Sequence, residues 1–275
     1  MCAPEGADTG YEYFQPTAAT ASVWTAAIQH GGPPTGLLVR AMENAVGGTT
    51  PPDGLGFSRV TMEILGAIGY GVSRVRTWIP RPGRQISQVA AELSEQQPDG
   101  TFRIVGRTTA WRLLRRDSSS ISRTPHPPLP LAPGDLATTV GFPTTGENAT
   151  SWGTLGFIGT IEVGLLDGRT GTTPALWIRP TLPLVAGEET SDLASAFTVI
   201  DVANGVGSDL PTTEWSWMNT DTTVHLIRAP RGPWVGLDAT LAAGPDGYGA
   251  TLGDLYDADG FLGRSAQTVL LSPTS

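Results

Sequence analysis

Asp201 is the residue that most demands a chemical explanation. It stands ten residues into SDLASAFTVIDVANG, among apolar neighbours, and a carboxylate there is costly to bury without partners. Asn204 follows three positions later, so on a helix both polar side chains point to the same side. A carboxylate in such a place can draw a proton from water and hold that water against a carbonyl carbon without a metal. It can equally be a polar position on a wet helix face. Gln267 poses the same choice. It sits in GRSAQTVLL, where strand alternation puts it on one face with Ser265 and Val269. It is either an outward-facing polar residue or a hydrogen-bonding member of a site. A third group is His30-Gly31-Gly32, just ahead of a helix-forming run. Backbone N–H groups at a helix start lack partners and can face an oxygen that gains charge, and glycine permits close approach. His30 reads as a neighbour of such a site or as a helix-entry residue. Arg228, Arg231, Arg81 and Arg84 lie at strand ends beside Pro and Gly. They are either solvent-facing and salt-bridged or a local source of positive charge.

These groups need elements to hold them. GGPPTGLLVRAMENAVGG (31–48) predicts a helix, with prolines near its start, a Gly pair at its end and an apolar face of Leu37, Leu38, Ala41, Met42 and Ala45. Four extended runs follow: SRVTMEIL (58–65), GVSRVRTWI (71–79), QISQVAAEL (85–93) and FRIVGRTTAWRLLR (102–115). Residues 117–155 are dominated by Ser, Thr, Pro and Gly and predict a long surface connection without a long helix. The last third repeats the first pattern. Strands FIGTIEVGLL (157–166) and ALWIRPTLPLV (175–185), separated by a Gly-rich turn, lead to a second helix over 192–207, capped by Ser191 or Asp192. Then come strands TTVHLI (222–227) and GPWVGLDATLAAG (232–244) and two further runs after Asp-Gly turns.

A helix followed by an antiparallel meander, twice, predicts two α+β units. VGRTTAW (105–111) matches LGRSAQT (262–268), so Ala110 stands where Gln267 does, and Phe57 stands where Asn219 does. Polar groups placed in one half only point to one composite site.

Composition narrows the function classes. The 275 residues suffice for a large apolar core. One Cys, Cys2, excludes a disulfide within the chain or a cysteine-based zinc site, and three scattered His make a metal site a poor expectation. A formal charge of −9 argues against nonspecific nucleic-acid or anionic-membrane binding. No window approaches a membrane-spanning run, and the N-terminus lacks a basic region followed by an apolar one, so the expected location is cytoplasmic. There is no G-x-S-x-G elbow, dinucleotide fingerprint or phosphate-binding loop.

Three stretches, IQHGGPPTGLLVRAME (28–43), LWIRPTLPLVAGEE (176–189) with DVANG (201–205), and WMNTDTTVHLIRAPRGPWVGLDA (217–239) with LYDADGFLGRSAQTVLL (255–271), resemble the double-hotdog acyl-CoA thioesterases of the actinobacterial type. The resemblance implies an α+β fold of two tandem hotdog units, each a long helix wrapped by an antiparallel sheet. The N-terminal unit would span 1–116, the connection 117–155 and the C-terminal unit 156–275. It implies hydrolysis of an acyl-CoA thioester by a water held between a carboxylate, a small polar residue and a glutamine. These fall on Asp201, Asn219 and Gln267, with Asn219 departing from the usual hydroxyl. Gly31 and Gly32 would polarise the carbonyl, and His30, Asn204, Arg228 and Arg231 would contact substrate, the arginines at a coenzyme A phosphate. Trp215, Trp217 and Trp234 are read as packing residues. No metal or cofactor is implied, and homo-oligomerisation is left open. The rival readings are a non-catalytic acyl-thioester binding protein and a hotdog dehydratase.

Overall fold

The computed structural model describes residues 10–48, 51–124, 126–144, 152–166 and 175–274. Cys2 and the Gly-rich turn of residues 167–174 lie outside them.

The N-terminal half runs β1 (Glu12–Phe14), α1 (Gly32–Ala45), β2 (Leu55–Ile64), β3 (Ser73–Arg81), β4 (Ile86–Gln96) and β5 (Phe102–Leu114). After the connection come β6 (Thr139–Val140), β7 (Ile161–Leu165), β8 (Leu176–Pro180), α2 (Asp192–Ile200), α3 (Ala203–Val206), β9 (Trp215–Asn219), β10 (Asp221–Leu226), β11 (Val235–Ala243), β12 (Tyr248–Asp257) and β13 (Gly260–Pro273). The strands form one antiparallel sheet in the order β1-β3-β4-β5-β2-β10-β13-β12-β11-β8-β7-β6, with β9 paired to β13. The halves join where β2 meets β10, from Asp221 opposite Glu63 to His225 opposite Arg59.

Local chemistry explains the elements. Pro33 and Pro34 occupy the first turn of α1, where a missing N–H costs nothing. Leu38, Val39, Ala41 and Met42 on its inner face are buried against β3, β4 and β5. Full burial of a side chain of that size is worth about 1.5–3 kcal/mol. Ser191 caps α2, its hydroxyl accepting from the Ala194 N–H at 3.0 Å. The Asp-Gly turns expected ahead of β12 and β13 are present, with Gly247 and Gly260 at positive φ of 82° and 105°.

The second helix departs from expectation. It stops at Ile200 and resumes for one turn at Ala203. Around Asp201 the backbone tightens to three-residue spacing: Val202 N–H bonds Val199 O at 3.1 Å and Asn204 N–H bonds Asp201 O at 3.4 Å. The Asp201 carbonyl also accepts from Gln267 Nε2 at 3.3 Å. The interruption turns the Asp201 side chain toward the strands.

Among the described residues of the connection, helical structure is limited to 3-10 turns of three residues, at Ser119–Ile121 and Pro133–Asp135. The segment nevertheless contributes β6 to the sheet edge. It also covers the outer side of the C-terminal strands. Leu129 and Leu136 pack with Trp177 and Tyr256, Trp177 Nε1 donates to Leu131 O at 2.8 Å, and His126 stacks on Phe261. No described helix is long and apolar enough to cross a membrane.

Candidate active site

The break after α2 carries Asp201 to the point where α1 begins and β10 and β13 run alongside. Its carboxylate is only 6% exposed and has three donors on one oxygen. Oδ1 accepts from Asn219 Nδ2 at 2.8 Å, Thr222 Oγ1 at 3.1 Å and Gln267 Nε2 at 3.4 Å. Gln267 Nε2 also donates to Thr222 Oγ1 at 3.0 Å. Burying a carboxylate is tolerable here because the charge is met by fixed dipoles. The structure thus brings Asp201, Asn219 and Gln267 together, with both amides turned toward the carboxylate. Gln267 is 1% exposed, and its Oε1 is buried without a hydrogen-bond partner.

Thr222 is the member that sequence reading passed over. The hydroxyl that the resemblance led one to seek at Asn219 is present three residues later. It lies in TDTTVHLI, where alternating threonines look like ordinary strand residues. Sheet position is the signal that finds it. β13 lies between β10 and β12 as β5 lies between β2 and β4. Ala110 on β5 is flanked by Val60 and Val89, whereas Gln267 meets Thr222 and, on β12, Thr251. At these three positions the first half is apolar where the second is polar.

The other oxygen, Oδ2, faces α1. It lies 3.3 Å from His30 Nδ1, and a Cβ on Gly31 would come within 2.6 Å of it. Any side chain on Gly32 would overlap the Thr198 carbonyl. Both glycines are therefore required by the closeness of the two helices. Their N–H groups differ. Gly32 N–H donates to His30 Nδ1 at 3.1 Å, while Gly31 N–H has no hydrogen-bond partner among the described residues. Of the pair, only Gly31 offers a free donor. His30 Nδ1 thus lies between a donor, Gly32 N–H, and an acceptor, Asp201 Oδ2. Burial pushes the His30 pKa below its ordinary 6.5, with Asp201 pulling the other way.

Asp201, His30, Gly31, Asn204 and Asn219 open onto a cavity of about 320 Å³, whose walls are mostly apolar and include Trp24, Trp152 and Trp217. Asn204 borders it, but its amide is engaged. Nδ2 donates to Trp217 O at 3.3 Å and Oδ1 accepts from Thr251 Oγ1 at 3.3 Å. Trp217 is a wall residue as well as a packing one. Trp215 is partly exposed on β9, and Trp234 packs beneath Arg179.

The structure does not bring Arg228 and Arg231 to this cavity. They follow the end of β10 that is remote from Asn219 and are engaged by acids. Arg228 forms a two-pronged pair with Asp257, and Arg231 lies 2.9 Å from Asp259. Arg81 bonds the Ile86 carbonyl at the β3–β4 turn, and neither it nor Arg84 lines the cavity. Strand-end placement was legible in the sequence; which end of the sheet was not.

Profiles for two domains match the sequence. The acyl-CoA thioesterase C-terminal domain covers residues 133–271 and the acyl-CoA thioesterase N-terminal domain residues 20–113. A search of curated proteins finds no match. Among solved structures, the chain is similar to a putative thioesterase from Novosphingobium aromaticivorans at 18% identity, TM-score 0.70, covering 96% of each chain. It is also similar to a hot dog fold protein from Alicyclobacillus acidocaldarius at 18% identity, TM-score 0.69, covering 98% of this chain and 96% of that one. A third is an acyl-CoA thioesterase II from Mycobacterium marinum at 14% identity, TM-score 0.61, covering 90% and 91%. These likenesses place the architecture among α+β hotdog folds.

Proposed function

This chain belongs to the acyl-CoA thioesterase family, and we propose that it hydrolyses an acyl-CoA thioester to a carboxylic acid and free coenzyme A. The observation that carries the reading is the Asp201 carboxylate, held on one oxygen by three donors and open on the other toward the cavity and the start of α1. Water lodged at Asp201 gives up one proton to the carboxylate as its oxygen bonds the thioester carbon. Gln267 does not line the cavity and acts from behind, its Nε2 holding the Asp201 carboxylate, while the water's other proton stays on the oxygen that becomes the acid hydroxyl. Gly31 N–H donates to the carbonyl oxygen as it gains charge. Collapse of the tetrahedral species breaks the C–S bond, and the proton held by Asp201 passes to the departing thiolate. Asn219, Thr222 and Gln267 keep the carboxylate aimed throughout.

The two halves, 1–116 and 156–275 joined through 117–155, are read as two tandem hotdog units. The repeated order of helix and strands about the β2–β10 joint supports this. One such chain supplies both faces of the site, so a second copy is not needed for chemistry. The proposed place of action is the cytoplasm.

The test is thiol release from acyl-CoA substrates. Asp201→Asn is expected to lower kcat by at least about tenfold, within the range a general base contributes, with the circular-dichroism spectrum and melting midpoint retained. A well-folded wild type inactive on all chain lengths would instead mark a protein that binds acyl thioesters without cleaving them.

A further inference from the structure

The walls of the Asp201 cavity carry more information than the carboxylate. Trp24, Trp152 and Trp217 all face it. Trp24 meets Trp217 edge to face at a centroid distance of 5.5 Å, and Trp24 is 41% exposed at the mouth. Indole walls meeting at such angles suit a flat ring better than a flexible chain, because aromatic pairs favour offset or edge-on contact.

A second apolar cavity, of about 390 Å³, is lined in part by Phe14, Leu37 and Leu182. Gln29 borders both. The two are separated by a wall of Gln29, His30 and Phe157, the His30 and Phe157 rings lying 4.8 Å apart. Backbone bonds pin this wall. Gln29 N–H bonds Ile68 O at 2.7 Å, His30 N–H bonds Thr20 O at 2.7 Å and Phe157 N–H bonds Ala21 O at 2.9 Å. The Gln29 amide adds a bond to Gly69 O at 2.6 Å. A long acyl chain cannot use the second cavity unless this wall gives way.

Volume then decides. A cavity of about 150 Å³ holds one benzene ring. On that scale twelve acyl carbons need about 300 Å³ and eight need about 200 Å³. The first would take up nearly all of the 320 Å³ cavity and leave little of it for the adjoining pantetheine. We infer that the acyl group taken by this site is compact and aromatic, of the size of phenylacetyl, and that the Gln29–His30–Phe157 wall excludes long linear chains. The inference rests on the thioesterase reading for its chemistry and on the cavity alone for its size limit.

Thiol release by the full chain is compared on phenylacetyl-CoA, dodecanoyl-CoA and acetyl-CoA. The expected kcat/KM for phenylacetyl-CoA exceeds that for dodecanoyl-CoA by at least about tenfold, the scale on which a shaped apolar pocket discriminates. Phe157→Leu, which lowers the wall, should narrow that ratio, and Trp24→Leu should lower the ratio of phenylacetyl-CoA to acetyl-CoA. Equal or faster hydrolysis of dodecanoyl-CoA overturns the inference and leaves the hydrolase reading intact. Calorimetric binding of both thioesters to Asp201→Asn reads the cavity without chemistry. Tighter binding of phenylacetyl-CoA by a protein whose wild type releases no thiol would retire the hydrolase reading and support the size limit. Equal or tighter binding of dodecanoyl-CoA would overturn the size limit whether or not the wild type is active.

Discussion

Thr222 sits at the centre of the Asp201 cluster, donating to the carboxylate at 3.1 Å and accepting from Gln267 at 3.0 Å. A hydrogen bond to a charged group is worth about 1.5–3 kcal/mol, and a buried group left without its partner costs a similar amount. Thr222→Val keeps the shape and removes both bonds, together with a longer one accepted from Asn219 Nδ2 at 3.4 Å. It is therefore expected to lower kcat by about tenfold or more, since tenfold corresponds to about 1.4 kcal/mol. Thr222→Ser keeps the hydroxyl and should retain most of the rate. Steady-state thiol release on the two variants checks this, and equal loss in both would show that the methyl group rather than the hydroxyl matters. Asp201 and Gln267 stood out in the sequence because each breaks an apolar run, whereas Asn219 was named through the family resemblance, with Phe57 as its apolar counterpart in the first half. Thr222 did not stand out, because a threonine next to another threonine on a strand has an ordinary reason to be there. Gly31 and Gly32 were legible as a pair. That one N–H is used by His30 and the other is free depends on the imidazole orientation, which no spacing rule encodes.

At the scale of elements, α1 and α2 cross at very close range. A side chain on Gly36 would overlap Thr198 Oγ1, as one on Gly32 would overlap the Thr198 carbonyl. The crossing brings the end of each helix to the start of the other. Asp201 meets Gly31 at one end, and at the other the buried Glu43 accepts from the hydroxyl of Ser191, the cap of α2. Burial raises the Glu43 pKa above its ordinary 4.5, the Ser191 bond opposes this, and Asp192 adds to the rise. The native state then holds the proton more tightly than the unfolded chain. This contribution to stability is fully present below pH 4.5 and is lost as pH rises through the folded value. At pH 8 an ionised carboxylate remains buried, and Glu43→Gln removes that charge while keeping an acceptor for Ser191. The melting midpoint of Glu43→Gln minus that of wild type is therefore expected to be larger at pH 8 than at pH 4.5. A difference that stays constant or reverses would show that Glu43 is ionised without cost. The helix positions were readable from Pro33, Ser191 and the apolar periodicity. The break at Asp201 was not, because VIDVANG continues the apolar pattern, and the break follows from backbone bonding that Gln267 reinforces from 66 residues away.

At the scale of the molecule, neither half holds all the residues of the candidate site. The C-terminal half provides Asp201, Asn219, Thr222 and Gln267. The N-terminal half provides His30, Gly31 and the wall from Ile64 to Ile68. The β2–β10 pairing fuses their strands into one sheet, with Thr223 Oγ1 bonding Thr61 Oγ1 at 3.1 Å across the joint, and one apolar core takes residues from both helices and both sets of strands. Repetition in the sequence suggested two units, and their domain profiles fall on separate stretches. Repetition says nothing about how strongly the units couple, which depends on strand edges and helix faces meeting across the joint. With a shared sheet, a shared core and a helix crossing too close to loosen by degrees, unfolding one half exposes the apolar face of the other. The chain is accordingly expected to unfold in urea as one cooperative step. Far-ultraviolet circular dichroism, tryptophan fluorescence and thiol release should lose their native signals at the same midpoint. Trp78 and Trp111 report from the N-terminal half, and Trp177 and Trp234 from the C-terminal half. A fluorescence midpoint separated from the dichroism midpoint, or a plateau between two transitions, would show that the halves fold independently. Activity would then vanish with the weaker half, since both supply the site.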